Sequence, residues 1–139
     1  MRADEIMSPN VVTIRATQTV ADAIDALSEA DTRHLPVIGD AGQLVGMLSD
    51  RDLRSLGMAR TIDGQTLQRL HDRLQASVSS MMSGDVATVG PETDVKEVVD
   101  TMLEAGVGAI PVVDDDTDTL VGIVSYVDLL RALRDAVEA

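Results

Sequence analysis

Leu44-Val45-Gly46-Met47-Leu48-Ser49-Asp50-Arg51-Asp52-Leu53 decides the reading of this chain, because it is written again as Leu120-Val121-Gly122-Ile123-Val124-Ser125-Tyr126-Val127-Asp128-Leu129. Upstream of both copies the likeness continues. Met7, Ser8, Val11, Thr13, Val20, Asp25, Glu29, Ala30, Pro36 and Val37 recur 75 positions later as Met82, Ser83, Val86, Thr88, Val95, Asp100, Glu104, Ala105, Pro111 and Val112, and one extra residue then moves the offset to 76. A repeat of this length makes one chain a pseudo-dimer, in which two similar units bury faces that neither could bury alone. Function is therefore sought at the seam between the copies.

Each copy predicts the same order of elements. Asn10–Ile14 and Asp85–Val89 are short and β-branched and read as strands. Thr19 with Asp22, and Asp94 with Glu97, predict helix N-caps with an acid at the third helical position. Behind them Val20, Ala23, Ile24 and Leu27, and likewise Val95, Val98, Val99, Met102 and Leu103, keep the spacing of one apolar helix face. Leu35–Ile38 and Leu44–Leu48 flank a Gly-Asp-Ala-Gly turn as a β-hairpin, and Ile110–Val113 and Leu120–Val124 repeat it around an acidic turn. A second helix starts after each hairpin, with Leu53 and Leu56 or with Leu129, Leu130, Leu133 and Val137. The expected class is α+β (α/β): two pseudo-symmetric β-α-β-β-α units over residues 1–57 and 78–139, joined by a helical linker over 58–77. The stretch that joins the copies, residues 54–80, carries Leu67, Leu70, Leu74 and Val78 on one helical face, and its His71 reads as a solvated side chain.

Composition excludes several classes of function. A unit of roughly 60 residues is marginal in stability alone, so 139 residues suit one jointly folded module. There is no Cys, so disulfides, thiolate metal sites and a Cys nucleophile are out. No apolar run approaches the roughly 18 residues of a membrane span, and no signal-peptide core follows Met1, which makes the cytoplasm the default location. The net charge of −13 argues against contact with a nucleic-acid backbone. Tyr126 is the sole aromatic residue, so a bound base would lie between aliphatic side chains instead of on a stacking platform.

The motif that carries chemistry is Gly-x-x-Ser-x-x-Asp, at Gly46, Ser49, Asp52 and at Gly122, Ser125, Asp128. A strand glycine lets a ligand or another backbone approach closely. A hydroxyl at a helix start, beside free N–H groups, suits a phosphate oxygen, and a carboxylate can accept ribose hydroxyls. The competing reading is a capping box worth about 1 kcal/mol with no ligand at all. Asp114, Asp116 and Asp118 alternate as in a calcium loop, but Thr119 and Ser125 stand where such a loop needs Gly and Glu, so the run reads as a solvated hairpin tip. No catalytic residue is assigned: His34 and Ser49 lack a nucleophile-elbow pattern, and no metal site is assigned either.

Taken together, Met-Ser, Leu-Pro-Val or Ile-Pro-Val, and Val-Gly-(Met/Ile)-(Leu/Val)-Ser-x-x-Asp-Leu resemble the CBS domain, and the tandem resembles a stand-alone Bateman module over residues 3–57 and 78–137. The resemblance implies units packed through their sheets, with two clefts for adenosine-containing ligands such as AMP, ADP, ATP or S-adenosylmethionine. One cleft would join Ser125 and Asp128 to Met7, Asn10, Val11, Val12, Thr32, Arg33 and His34. The other would join Ser49, Asp52 and Arg51 to Met82, Asp85, Val86, Ala87, Val107, Gly108 and Ala109. Arg33, His34, Arg51 and Arg54 correspond to Gly108, Ala109, Val127 and Leu130, so the clefts should differ in affinity or charge preference.

Three functions compete. The first is a regulatory sensor in which the ligand, with or without Mg²⁺, favours one arrangement of the repeats, so changing a homodimer or the surface offered to an effector protein. The second is a structural dimerisation module whose Ser and Asp only cap helices. The third, an enzyme, is the weakest. Neither nucleic acid nor membrane is an expected partner.

Overall fold

The computed structural model describes residues 1–57 and 63–138; residues 58–62 of the expected linker, and Ala139, lie outside them. The chain is a mixed α/β structure of short helices and small sheets. It divides into two compact units that interleave along the sequence. The Ser49 unit comprises residues 12–41 and 45–86, and the Ser125 unit comprises residues 1–11, 42–44 and 87–139.

In the Ser49 unit, β1 (Ile14–Arg15) runs parallel to β2 (His34–Ile38), with Ile14 opposite Val37, and β2 also neighbours β3 (Leu44–Ser49). Between β1 and β2 lies α2 (Val20–Ala30). It starts at the predicted capping box, with Thr19 Oγ1 accepting from Asp22 N and Asp22 Oδ2 accepting from Thr19 N, both at 3.1 Å. It ends at Asp31 in the left-handed region, φ 50°. The core gathers Ile14, Ala23, Leu27, Leu35, Val37, Leu48 and Val78. α3 (Asp50–Leu53) and a 3-10 turn at Arg54–Gly57 follow β3. α4 (Gly64–Gln75) is amphipathic but buries no residue completely, and Leu67 is 55% exposed. The expected apolar face is broken at its end: Val78 leaves the helix for a 3-10 turn (Val78–Ser80), donates its N–H to Gln18 O at 2.7 Å and is wholly buried.

The Ser125 unit repeats this plan. Here α1 (Ala3–Ile6) precedes α5 (Val95–Ala105), the hairpin β4 (Ala109–Val113) and β5 (Leu120–Ser125), and α6 (Tyr126–Glu138). β4 and β5 are antiparallel, with Pro111 opposite Ile123 and a bulge at Val112/Val113. α5 ends at Gly106, φ 66°, the counterpart of Asp31, where an L side chain is strained and glycine is not. Asp94 caps α5 through Lys96 N, leaving the predicted partnership with Glu97 unformed. The acidic tip is a turn: Asp114 Oδ1 accepts from Asp116 N at 2.9 Å, and Asp118 is left-handed.

Two further expectations fail locally. The strands predicted at Asn10–Ile14 and Asp85–Val89 shrink to Ile14–Arg15 and to a single bridge between Val89 and Val112, because only their last residues meet a neighbouring strand. The second is the uniform apolar helix face: Val98 and Met102 are buried, but Leu103 is 75% exposed, and on α6 so are Leu130, Leu133 and Val137, each above half.

The interleaving has a matched basis. Ala3 is fully buried in the Ser125 core and Val78, 75 positions on, in the Ser49 core. Ser8 exchanges both backbone hydrogen bonds with Ile123 (2.8 and 3.1 Å), as Ser83 does with Met47 (2.9 Å each). Each motif strand is thus completed by the segment that leads into the other repeat. Burying the Val78 side chain contributes about 2 kcal/mol and burying the single methyl of Ala3 about 0.8 kcal/mol.

Candidate functional site

Both Ser-x-x-Asp motifs lie where a motif strand turns into a helix. Ser49 N donates to Asp52 Oδ2 at 2.9 Å, Ser49 Oγ lies 3.2 Å from the same oxygen, and Asp52 N donates to Ser49 Oγ at 3.4 Å. Ser125 and Asp128 reproduce this at 2.9, 3.2 and 3.3 Å. The capping reading is therefore true of both copies. A capping box engages one carboxylate oxygen and leaves a second with its own lone pairs, so it does not exhaust the group.

That second oxygen is visible at Asp128, whose side chain is 7% exposed, the one buried charged side chain among the described residues. Its Oδ1 accepts from Ser8 Oγ at 3.3 Å and lies 3.8 Å from an Arg131 nitrogen. The carboxylate forms part of the wall of a cavity of about 470 Å³, together with Ser8, Asn10, Arg131 and Asp135 and the segment Glu5–Met7. Of the expected site residues, Met7, Asn10, Ser125 and Asp128 are thus brought together within one unit, with Val11 in the same segment. Ser8 and Arg131 were not assigned by sequence reasoning. The signals were present, since Ser8 belongs to the repeated Met-Ser pair and Arg131 stands three residues after Asp128 on the same helix face.

Gly122 and Gly46 are buried for a reason the sequence only half shows. A Cβ on Gly122 would meet the Met7 side chain and Ser8 O, and one on Gly46 would meet the Met82 side chain and Ser83 O. The close approach predicted at these glycines is made by another backbone, with the methionine laid across it.

Thr32, Arg33 and His34, expected beside Ser125, belong to the Ser49 unit, as does Val12. There Asp50 N donates to Arg33 O at 3.0 Å, which sets the start of β2 against the start of α3. His34 is partly buried, and burial holds its pKa below the ordinary 6.5; Arg33 pushes the same way, while Asp50 and Asp52 oppose it. Arg51 is exposed, and Arg54 pairs with Asp50 at 3.7 Å. Met82, Asp85 and Val86 share this unit, while Ala87, Val107, Gly108 and Ala109 lie in the Ser125 unit. There Tyr126 N donates to Gly108 O at 3.0 Å, the counterpart of Asp50 and Arg33. The Ser49 unit holds Arg33, His34, Arg51 and Arg54, with Asp50 and Asp52 among them, whereas the cavity in the Ser125 unit is lined by Glu5, Asp128 and Asp135 with Arg131 as its basic residue.

Residues 3–58 and 78–135 each match the CBS domain. The chain is 31% identical over 134 residues to a CBS domain-containing protein of Dictyostelium discoideum, covering 96% of this chain and 92% of that one. Hypoxic response protein 1 of Mycobacterium tuberculosis is 30% identical over 133 residues, 96% of this chain and 85% of that one. Among solved structures, CBSX2 of Arabidopsis thaliana superposes with a TM-score of 0.82 at 28% identity, covering 99% of this chain and 97% of that one. CBSX2 has also been solved in complex with AMP, with a TM-score of 0.81, 27% identity and 97% of each chain covered. Other relatives are longer: the chain spans 43% of a 33.4 kDa protein of Thermofilum pendens and 23% of the inosine-5′-monophosphate dehydrogenase of Methanocaldococcus jannaschii. That dehydrogenase is matched only in its CBS part. With the repeat, the paired Ser-x-x-Asp helix starts and these matches in agreement, the chain belongs to the CBS-domain family, as a tandem pair of CBS domains.

Proposed function

We propose that this CBS pair is a regulatory module that takes the ribose of an adenosine-containing ligand at its Ser-x-x-Asp helix starts. The observation that carries the reading is the buried Asp128 carboxylate in the wall of a 470 Å³ cavity, with one oxygen held by the helix cap and the other turned to Ser8. The solved complex of CBSX2 with AMP supports the adenosyl class. Arg33, His34, Arg51 and Arg54 suit the Ser49 half to a phosphorylated ligand, brought with or without Mg²⁺; the more acidic Ser125 half repels a polyphosphate.

Output runs through a homodimer or an effector protein. Tyr126, Leu130, Leu133 and Val137 follow one another on α6 at steps of four, three and four residues and are 47%, 58%, 59% and 75% exposed. An apolar stripe of that spacing suits a partner helix, and a second copy supplies an identical one. The competing reading is a structural dimerisation module, favoured by the two complete capping boxes.

Thermal unfolding of wild type, Asp52→Ala and Asp128→Ala with AMP, ADP, ATP with and without Mg²⁺, S-adenosylmethionine and GMP separates the two. A ligand at 100 times its Kd adds roughly 2.7 kcal/mol. Stabilisation of wild type by an adenosyl compound, lost in one Asp variant, supports sensing and identifies the working half. No shift with any compound, with both variants merely less stable, leaves the structural module.

A further inference from the structure

We propose that Ser8 is a built-in competitor for the ribose hydroxyl at Asp128, and that the N-terminal strap anchored by Ser8 is the element a ligand releases. This rests on the ligand reading above. The two oxygens of Asp128 have different duties. Oδ2 is held by Ser125 N at 2.9 Å, one arm of the capping box whose other arm is Asp128 N donating to Ser125 Oγ at 3.3 Å, and giving it up would break that box. Oδ1 has only Ser8 Oγ at 3.3 Å and the Arg131 guanidinium at 3.8 Å. A hydroxyl donating to a carboxylate ordinarily sits at roughly 2.5–2.7 Å, so the Ser8 bond is long and exchangeable. A ribose hydroxyl arriving from the cavity would replace one O–H donor by another on the same oxygen, without disturbing the cap.

What changes is the strap. Residues 1–11 open the first repeat in sequence yet belong to the Ser125 unit. They are tied there by Ala3 N to Thr93 O (2.8 Å), Asp4 N to Pro91 O (2.9 Å) and the Ser8–Ile123 pair. The Ser8 hydroxyl links this backbone seam directly to the candidate ligand oxygen, 120 residues away in sequence. Displacing it removes the strap's side-chain hydrogen bond to the cavity wall and leaves the strap to its backbone bonds and the buried Ala3. Coupling is reciprocal, so if the ligand loosens the strap, loosening the strap must tighten the ligand by the same factor.

Calorimetric titration of AMP and of 2′,3′-dideoxy-AMP into wild type, Ser8→Ala, Ser8→Thr and Asp128→Ala protein tests this, with hydrogen exchange of residues 3–8 read alongside. AMP should bind Ser8→Ala roughly fivefold more tightly than wild type, the factor expected from one net hydrogen bond. Ser8→Thr, which keeps the hydroxyl, should match wild type, dideoxy-AMP should gain nothing from Ser8→Ala, and AMP should speed exchange in residues 3–8 of wild type. Equal or weaker AMP binding by Ser8→Ala, or slower exchange on adding AMP, overturns the proposal. If Asp128→Ala abolishes AMP binding while Ser8→Ala changes nothing, the competitor role falls and the ligand reading stands. If AMP binds none of the four proteins, the competitor role falls, and the ligand reading falls with it only if ADP, ATP and S-adenosylmethionine also fail to bind wild type.

Discussion

The Met7 side chain occupies the space in front of Gly122 that the Cβ of any larger residue would need, and Met82 stands in the same relation to Gly46. In both pairs the methionine comes from the segment leading into one repeat and the glycine from the motif strand of the other. The signature glycine is thus a packing requirement before it is anything else.

Gly122→Ala should destabilise the protein by about 1–3 kcal/mol, the usual cost of forcing an extra group into a packed interior. The Met7 side chain can move aside, whereas Ser8 O, in the β-bridge to Ile123, cannot move freely. Met7→Ala should therefore recover part of the loss. A double-mutant cycle of denaturant midpoints measures this coupling, and strict additivity would show that the pair is not in contact.

Asp128→Ala should cost more stability than Asp52→Ala. Both remove a cap worth about 1 kcal/mol. Asp128 also caps a 13-residue helix, against the four residues of α3, and is itself buried, so its loss strands the Ser8 hydroxyl as well. Thermal unfolding of the two variants side by side gives the ranking.

His34 sets a pH dependence. Because burial lowers its pKa in the folded protein, the unfolded chain binds the proton more readily. Its contribution to stability is complete above the ordinary value of 6.5 and is lost as pH falls below it. The unfolding midpoint of His34→Gln protein should respond less to lowering the pH from about 7.5 to about 5.5 than that of wild type. Equal slopes would remove His34 as the cause.

If wild type dimerises along α6, as proposed, Leu133→Glu should leave it monomeric without unfolding the chain. Leu133 is 59% exposed, so the folded monomer loses little when a charge replaces it. A dimer seam along α6 would bury that charge unpaired. Sedimentation of wild type and variant at matched concentration, with circular dichroism as the fold control, reads the outcome.

Much of the fold was legible because it rests on local rules. The capping box at Thr19 and Asp22, the two hairpins, and the helix starts at Ser49 and Ser125 are set by residues within a few positions of one another. The short strands were overextended for the opposite reason. Asn10–Ile14 has the composition of a strand, but a strand exists only where a neighbour supplies hydrogen bonds, and that neighbour reaches only Ile14 and Arg15. The α6 stripe carried helical periodicity faithfully; periodicity cannot say which face meets the core, and here Leu129 packs inward while Leu130, Leu133 and Val137 do not.

The sequence by itself determined the repeat, the order of elements and the two Ser-x-x-Asp helix starts, since each depends on short-range pattern. Only the tertiary structure decided that Ala3, Met7 and Ser8 close the Ser125 unit while Val78, Met82 and Ser83 close the Ser49 unit. It also decided that Ser8 reaches Asp128. The physical reason is that a segment's backbone donors and apolar side chains are satisfied by whichever strand and core lie within reach in space, a choice that leaves no periodic trace along the chain.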